Sequence, residues 1–215
     1  MSPRAERKFD AVLFDLLTAL LDSWTLWNRV GATPEAGRKW RAAYLRRTYE
    51  TGVYRPYETL VAEAAAEVGL SPTLAAQLAA RYGELEPWPE VREVLGALRH
   101  ERVRMAVVTN CSEKLAATAV AATGIDFDVV VTAERAGFYK PDPRPYEMAL
   151  DELGLVPSRC LFVAGSAYDL FGTSKVGLPT YWHDRIGMAP PRNAPEPIAH
   201  HRSLYPLLEL VRPVE

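Results

Sequence analysis

Four short stretches of this chain carry residues whose types could do chemistry together. A run of apolar residues, Ala11 to Phe14, ends at a carboxylate, Asp15. A second, Val103 to Thr109, ends at a hydroxyl and is followed by the amide Asn110. Lys140 stands in the polar stretch Tyr-Lys-Pro-Asp, and Asp169 follows a fourth apolar run, Cys160 to Ala164, by a few residues. A carboxylate at the end of a buried strand costs free energy unless neighbours stabilise its charge. An ammonium and nearby backbone amides could hold Asp15 ionised and aim it at an electrophile, as nucleophilic catalysis by a carboxylate requires. The bland alternative for Asp15 is the N-cap of a following helix.

The elements that would position these residues are those of an α/β fold. The apolar runs 11–14, 103–109, 128–131, 160–164 and 178–182 read as buried parallel strands. Helical patterns lie between them, at 89–101, 113–123, 143–153 and 168–176; in the first, Val91, Val94, Leu95 and Leu98 recur at helical spacing. The alternation predicts a Rossmann-like parallel sheet covered on both faces. Ligands of such sheets bind outside the carboxyl ends of the strands, where Asp15, Thr109 and the turn after Ala164 fall.

Residues 21–88 break the rhythm. They are helical in pattern and divided by turn signals at 31–34, 52, 69–72 and 87–89 into about four helices. The chain is therefore expected to form a core domain from 1–20 and 89–215 and a helical cap domain from 21–88, the cap lying over the strand ends. The proline-rich stretch after Gly187 reads as a surface loop before a last helix at 204–211.

Composition narrows the functions. The net charge of −2 over 215 residues gives no electrostatic reason for a nucleic acid or an acidic membrane as partner. Cys111 and Cys160 lie far apart with neither a disulfide framework nor zinc-ligand spacing, which fits a reducing cytoplasm. No run suits a signal peptide or a membrane span.

In their order and spacing, with a helical insert after the first strand, the four pieces resemble the haloacid dehalogenase-like superfamily over nearly the whole chain. That resemblance implies Asp15 as nucleophile. Phosphatases of the superfamily carry a second aspartate two residues later, which protonates the leaving oxygen; here that position is Leu17. General acid catalysis contributes roughly 10²–10⁴-fold, and a halide leaving group does without it. The chain is thus most similar to the L-2-haloacid dehalogenase branch, and the resemblance implies displacement of a leaving group from C2 of a short carboxylic acid through an aspartyl ester, with no cofactor.

Further roles follow from the same resemblance. Trp40-Arg41 with Tyr44-Leu45 is similar to the stretch whose arginine meets substrate and departing halide, and a guanidinium suits charge developing on a leaving group. A solvated basic helix is the competing reading, because Arg38, Lys39, Arg46 and Arg47 lie beside Arg41. Lys140 and Asp169 join the catalytic set with Thr109, whose hydroxyl would bind the substrate's acid group. Leu17, Asn110, Tyr146, Ser166 and Tyr168 are expected to contact substrate, Asn110 sharing the halide cradle. The resemblance departs at Ala19 and Ala164, where a threonine and the first serine of the dehalogenase pattern are missing, and at Ser166, where that pattern has asparagine; Thr18 is displaced by one from the usual threonine. Two alternatives stay open: a magnesium-dependent small-molecule phosphatase, for which Ala164 and Gly165 supply no ligand, and a non-catalytic protein that binds small carboxylates. A homodimer is possible from the resemblance. His183, His200 and His201 have no partner visible in the sequence and read as structural or exposed, and Cys111 as an inert thiol.

Overall fold

A computed structural model of the chain describes residues 7–212. Six strands form one parallel sheet in the order β3-β2-β1-β4-β5-β6: β1 Ala11–Phe14, β2 Arg104–Thr109, β3 Val129–Thr132, β4 Cys160–Ala164, β5 Thr180–His183 and β6 Ala199–His201. The strand order reverses between β1 and β4, where a crevice opens at the carboxyl ends.

The strands are short and apolar because both faces are covered. Val12, Phe14, Met105, Val107, Leu161 and Val163 pack into one core. Their neighbours Ala11, Leu13, Ala106, Val108, Phe162 and Ala164 pack into the other. This period-two division puts both faces of the central strands against apolar neighbours. Helices α5 (Val91–His100) and α6 (Glu113–Thr123) contribute Val91, Leu95, Leu115 and Ala119 to the first layer. Helix α8 (Arg144–Leu153) contributes Tyr146, Ala149, Leu150 and Leu153 to the second. Short helices α7 (Ala133–Ala136), α9 (Asp169–Thr173) and α10 (Tyr205–Val211) complete the layers.

The helical stretch between β1 and α5 comprises α1 (Ser23–Val30), α2 (Pro34–Thr51), α3 (Tyr57–Glu67) and α4 (Leu74–Ala80), with one 3₁₀ turn at Tyr82–Glu84. Asp22 and Thr33 cap α1 and α2 through their side chains. The first two helices cross closely at Gly37, where an added Cβ would run into the backbone of Asn28. The chain leaves and re-enters the sheet through two segments paired with each other: Leu21 bridges Pro87 antiparallel, Asp22 N donates to Glu86 O at 2.8 Å, and Trp88 N donates to Leu20 O at 3.0 Å.

Two elements differ from the sequence expectation. The stretch 168–176 forms α9 and a separate 3₁₀ turn at Ser174–Val176. The proline-rich tail contains β6, which follows the sheet edge through parallel pairing of His200 with Trp182 and His201 with His183. Its residues are half-exposed or exposed, so no apolar alternation marks it. No helix among the described residues is long and apolar enough to cross a membrane.

Candidate functional site

Asp15 is the first residue after β1, and register with β4 places it beside the β4 end, its amide donating to Val163 O at 2.9 Å. The residue is 8% exposed, and both side-chain oxygens are engaged. Oδ1 accepts from Lys140 Nζ at 3.0 Å. Oδ2 accepts from Thr18 Oγ1 at 2.5 Å, Thr18 N at 3.0 Å and Ala19 N at 3.3 Å. Asp15 therefore does close the turn that follows it, as a capping residue would, while also presenting a paired carboxylate. Burial pushes its pKa up, but the Lys140 charge and the Thr18 hydrogen bonds outweigh burial and hold it below the usual carboxylate value.

Lys140 is 1% exposed and lies between two carboxylates. Its ammonium also reaches Asp169 Oδ1 at 2.9 Å. Burial opposes its charge, yet the two anions raise its pKa above the ordinary lysine value. Asp169 is shifted the other way: burial, ahead of the partly compensating Lys140, pushes it up to about 6. The site thus holds one carboxylate that stays ionised and one poised near neutrality. Pairs of groups driven apart in this way mark acid–base sites.

Arg41 comes from the middle of α2 and is 1% exposed, unlike its exposed neighbours Arg38, Lys39 and Arg46. Its guanidinium lies 4.8 Å from the ring centre of Trp24 and 5.3 Å from that of Trp27. Its Nε and Nη1 are buried without a hydrogen-bond partner. Aromatic faces can hold a cation, but unpartnered buried N–H groups are costly, and an anion would satisfy them.

Asp15, Leu17, Thr18, Arg41, Tyr44, Leu45, Tyr49, Thr109, Asn110, Lys140 and Ser166 line one cavity of about 20 Å³. A cavity of that size holds about one water molecule. The α2 face that covers it repeats at helical spacing, Arg41, Tyr44-Leu45 and Tyr49.

The remaining residues singled out in the sequence have specific places. Both side-chain atoms of Asn110 are bound to the Lys140 backbone: Oδ1 accepts from Lys140 N at 2.8 Å and Nδ2 donates to Lys140 O at 3.3 Å. Thr109 Oγ1 accepts from Cys111 N at 3.4 Å. Ser166 Oγ accepts from Tyr168 N at 3.4 Å.

Tyr146 and Tyr168 were expected at the substrate and do not line the cavity. The Tyr146 hydroxyl donates to Asp169 Oδ1 at 2.8 Å, and its ring packs against Phe162 and the space beside Gly172. Tyr168 is turned to stack on Tyr49, ring centres 4.4 Å apart. The histidines are structural or exposed, as read from the sequence, and the structure supplies their partners. His183 is fully buried with Nδ1 2.8 Å from Ala19 O; His200 pairs with Asp184 at 3.2 Å and His201 stacks on Tyr181. Burial pushes the Cys111 thiol up to about 12, so it is no nucleophile at neutral pH.

Four lining or supporting residues, Tyr49, Trp24, Trp27 and Thr18, fall outside the site set expected from the sequence. Tyr49 lies eight residues beyond Arg41, two helical turns along the same face, a spacing that could have found it. The clasp of Arg41 by Trp24 and Trp27 depends on the crossing of α1 and α2. Thr18 was noted only as a threonine off the usual position by one; the structure gives it the hydrogen bond to Asp15.

The donor set does not suit magnesium. The space between the two carboxylates is occupied by the Lys140 ammonium, Ala164 and Gly165 offer no side-chain oxygen, and no group of three His, Cys, Asp or Glu capable of holding a metal occurs among the described residues.

Residues 9–176 match the family described as haloacid dehalogenase-like hydrolase. The chain is 33% identical over 138 residues to (S)-2-haloacid dehalogenase 4A of Burkholderia cepacia, a match spanning 61% of this chain and 59% of that one. It is 31% identical over 194 residues to the (S)-2-haloacid dehalogenase of Pseudomonas sp. (strain YL), covering 82% and 83% of the two chains. A crystal structure of a dehalogenase with an intermediate complex superposes with a TM-score of 0.81 at 28% identity, over 96% of this chain and 98% of the other.

Proposed function

This chain belongs to the haloacid dehalogenase-like hydrolases, and we propose that it removes halide from C2 of a short (S)-2-haloacid, with Asp15 as nucleophile. The observation that carries this reading is the pairing of an ionised Asp15 with a buried, unsatisfied Arg41 across one small cavity. In the first step Asp15 attacks C2 in line, the carbon–halogen bond breaks with its electron pair, and C2 is inverted. The Arg41 guanidinium receives the charge that develops on the halide. Thr109 and Lys140 bind the substrate carboxylate, and Leu17, Tyr44 and Leu45 wall off water.

In the second step water attacks Cγ of the aspartyl ester. Asp169, poised near neutrality, takes its proton; Tyr146 and Lys140 fix the orientation of that base. The Cγ–O bond to C2 then breaks, and the proton returns to the departing 2-hydroxy acid. The product hydroxyl oxygen comes from Asp15, and the water oxygen stays in the enzyme. No cofactor takes part.

Residues 21–88 act as a cap over the strand ends of a core built from 1–20 and 89–215. A cavity of about 20 Å³ admits a haloacid only when α2 moves away. The contacts that must yield are the Tyr49–Tyr168 stack and the Val53–Phe138 bridge.

The test is halide release from (S)-2-chloropropionate and chloroacetate, followed by a single turnover in ¹⁸O water. Label found in the peptide containing Asp15, and absent from product, is the expected result. Halide release with label only in the product would remove Asp15 from the mechanism, and no release from either acid would overturn the function.

A further inference from the structure

Three consecutive carbonyls after Asp15 are each held by a side chain from elsewhere. Leu17 O accepts from Ser23 Oγ, Thr18 O accepts from Trp88 Nε1 at 3.0 Å, and Ala19 O is bound by His183 Nδ1 at 2.8 Å. In a trans peptide the C=O and the following N–H point in opposite directions. Holding Leu17 O therefore aims Thr18 N, and holding Thr18 O aims Ala19 N, both of which donate to Asp15 Oδ2. The Thr18 hydroxyl adds a third donor to the same oxygen at 2.5 Å. Gly165 keeps this turn in place from the opposite side: a Cβ there would overlap Thr18 Oγ1 and the Ala19 amide.

The two carboxylate oxygens are thus unequal. Oδ2 has three donors, all from the fixed turn, while Oδ1 has the Lys140 ammonium alone. Hydrogen bonds stabilise charge on an oxygen and lower its nucleophilicity, so Oδ1 is the oxygen free to bond to carbon. Once the ester forms, Oδ2 becomes its carbonyl oxygen, already seated among donors fixed before the reaction, which is the arrangement that stabilises a tetrahedral oxyanion.

Resting on the dehalogenase reading above, we propose that Thr18 is a catalytic residue of ester hydrolysis. Its hydroxyl and amide, with the Ala19 amide, form an oxyanion hole for Asp15 Oδ2, and Ser23 and Trp88 are the positioning residues that aim those amides. Water adds to Cγ and gives its proton to Asp169; the electron pair of the Cγ=Oδ2 bond moves onto Oδ2. The pair returns as Cγ–Oδ1 breaks, and Oδ1 departs with C2 as the product oxygen, receiving a proton. Ser23 begins α1 and Trp88 lies on the return segment, so both clamps stand where the helical insertion joins the sheet.

The experiment is a rapid-quench single turnover at pH 8 with (S)-2-chloropropionate, following chloride and the ester-linked protein by intact mass. In Thr18→Val ester breakdown is expected to slow about 100-fold or more, while chloride release slows far less, so that the ester accumulates. Thr18→Ser restores breakdown. Trp88→Phe, which keeps the ring and loses the donor, is expected to accumulate ester to a smaller extent and serves as the second reading should Thr18→Val not fold. Equal slowing of both steps in these variants, or ester that never accumulates, overturns the inference while leaving the dehalogenase reading intact. Wild-type protein that releases no chloride overturns that reading and this inference with it.

Discussion

Lys140 Nζ lies 2.9 Å from Asp169 Oδ1 in a pocket where the side chains are 2% and 1% exposed, while the same ammonium holds Asp15 at 3.0 Å. One cation thus serves two buried anions, leaving the cluster with a deficit of positive charge that burial makes expensive. This deficit sets the protonation of Asp169 and with it the pH behaviour of the site.

Ester hydrolysis should therefore fail on the acid side. Burial lifts Asp169 to about 6, so the base is present above that pH and lost as pH falls through it. Asp15 is held below the usual carboxylate range and Lys140 above the usual lysine range, so neither titrates between pH 5 and 9. The expected profile of kcat is a single acid limb with its midpoint near 6 and a plateau above. A midpoint near 4, or a bell centred on neutrality, would assign the base elsewhere.

Removing the shared cation should cost stability in a pH-dependent way. Lys140→Met leaves two buried carboxylates without a partner, and breaking a buried pair costs about 3–5 kcal/mol. In the variant the folded-state pKa of Asp169 rises further above its unfolded value, so the folded protein binds the extra proton more tightly and loses stability as pH rises. Urea melts at pH 5 and pH 8 should show the larger deficit at pH 8.

Asp15→Asn tests the nucleophile without changing its shape. Thr18 and Ala19 can still donate to the amide oxygen, so the fold should persist, and kcat should fall by at least about 1,000-fold. Wild-type rates in this variant, measured by halide release, would eliminate covalent catalysis.

Arg41→Leu separates anion binding from packing. Loss of a donor to a developing charge typically costs roughly 10²–10³ in kcat, whereas the buried Nε and Nη1 now satisfy nothing in the protein, so thermal stability should change little. Sodium bromide should raise the melting temperature of the wild type, since a ligand that binds only the folded state stabilises it, and should do so less in the variant at equal ionic strength.

Gly165→Ala should be disproportionately harmful for one methyl group. The added Cβ would overlap Thr18 Oγ1 and the Ala19 amide, pushing the turn off Asp15 Oδ2. A drop in kcat with KM nearly constant is the expected split; a drop confined to KM would place the damage in substrate binding.

Much of the fold was legible because both sheet faces are buried. Ala11–Phe14, Cys160–Ala164 and Glu113–Thr123 form as their apolar pattern indicates, and β2, β3 and β5 shift by a residue or two. The strand Ala199–His201 was not legible: its backbone pairing with β5 forms it, and its polar, exposed side chains carry no pattern. At the site, Asp15 stood out as a charge at a strand end, and Lys140 and Asp169 joined it through the order and spacing of the four pieces that resemble the superfamily. Tyr146 was placed one shell too close, because spacing reveals which helix face a residue occupies but not whether a carboxylate intercepts its hydroxyl. The clamps Ser23, Trp88 and His183 act through backbone carbonyls, and no residue type or period announces such contacts.

The pairing of Leu21 with Pro87 has a consequence for how this architecture can be altered. Entry and exit of the helical stretch run side by side, so everything between them could be excised and the stumps rejoined by a tight turn with no displacement of β1 or α5. An exchange of that kind would transplant Arg41 and its aromatic clasp as one module, while Trp88, left on the sheet side, would still grip Thr18. Thr18, Lys140 and Asp169 would stay with the recipient, while the Ser23 clamp on Leu17 O and the leaving-group contacts of Arg41 would travel with the graft.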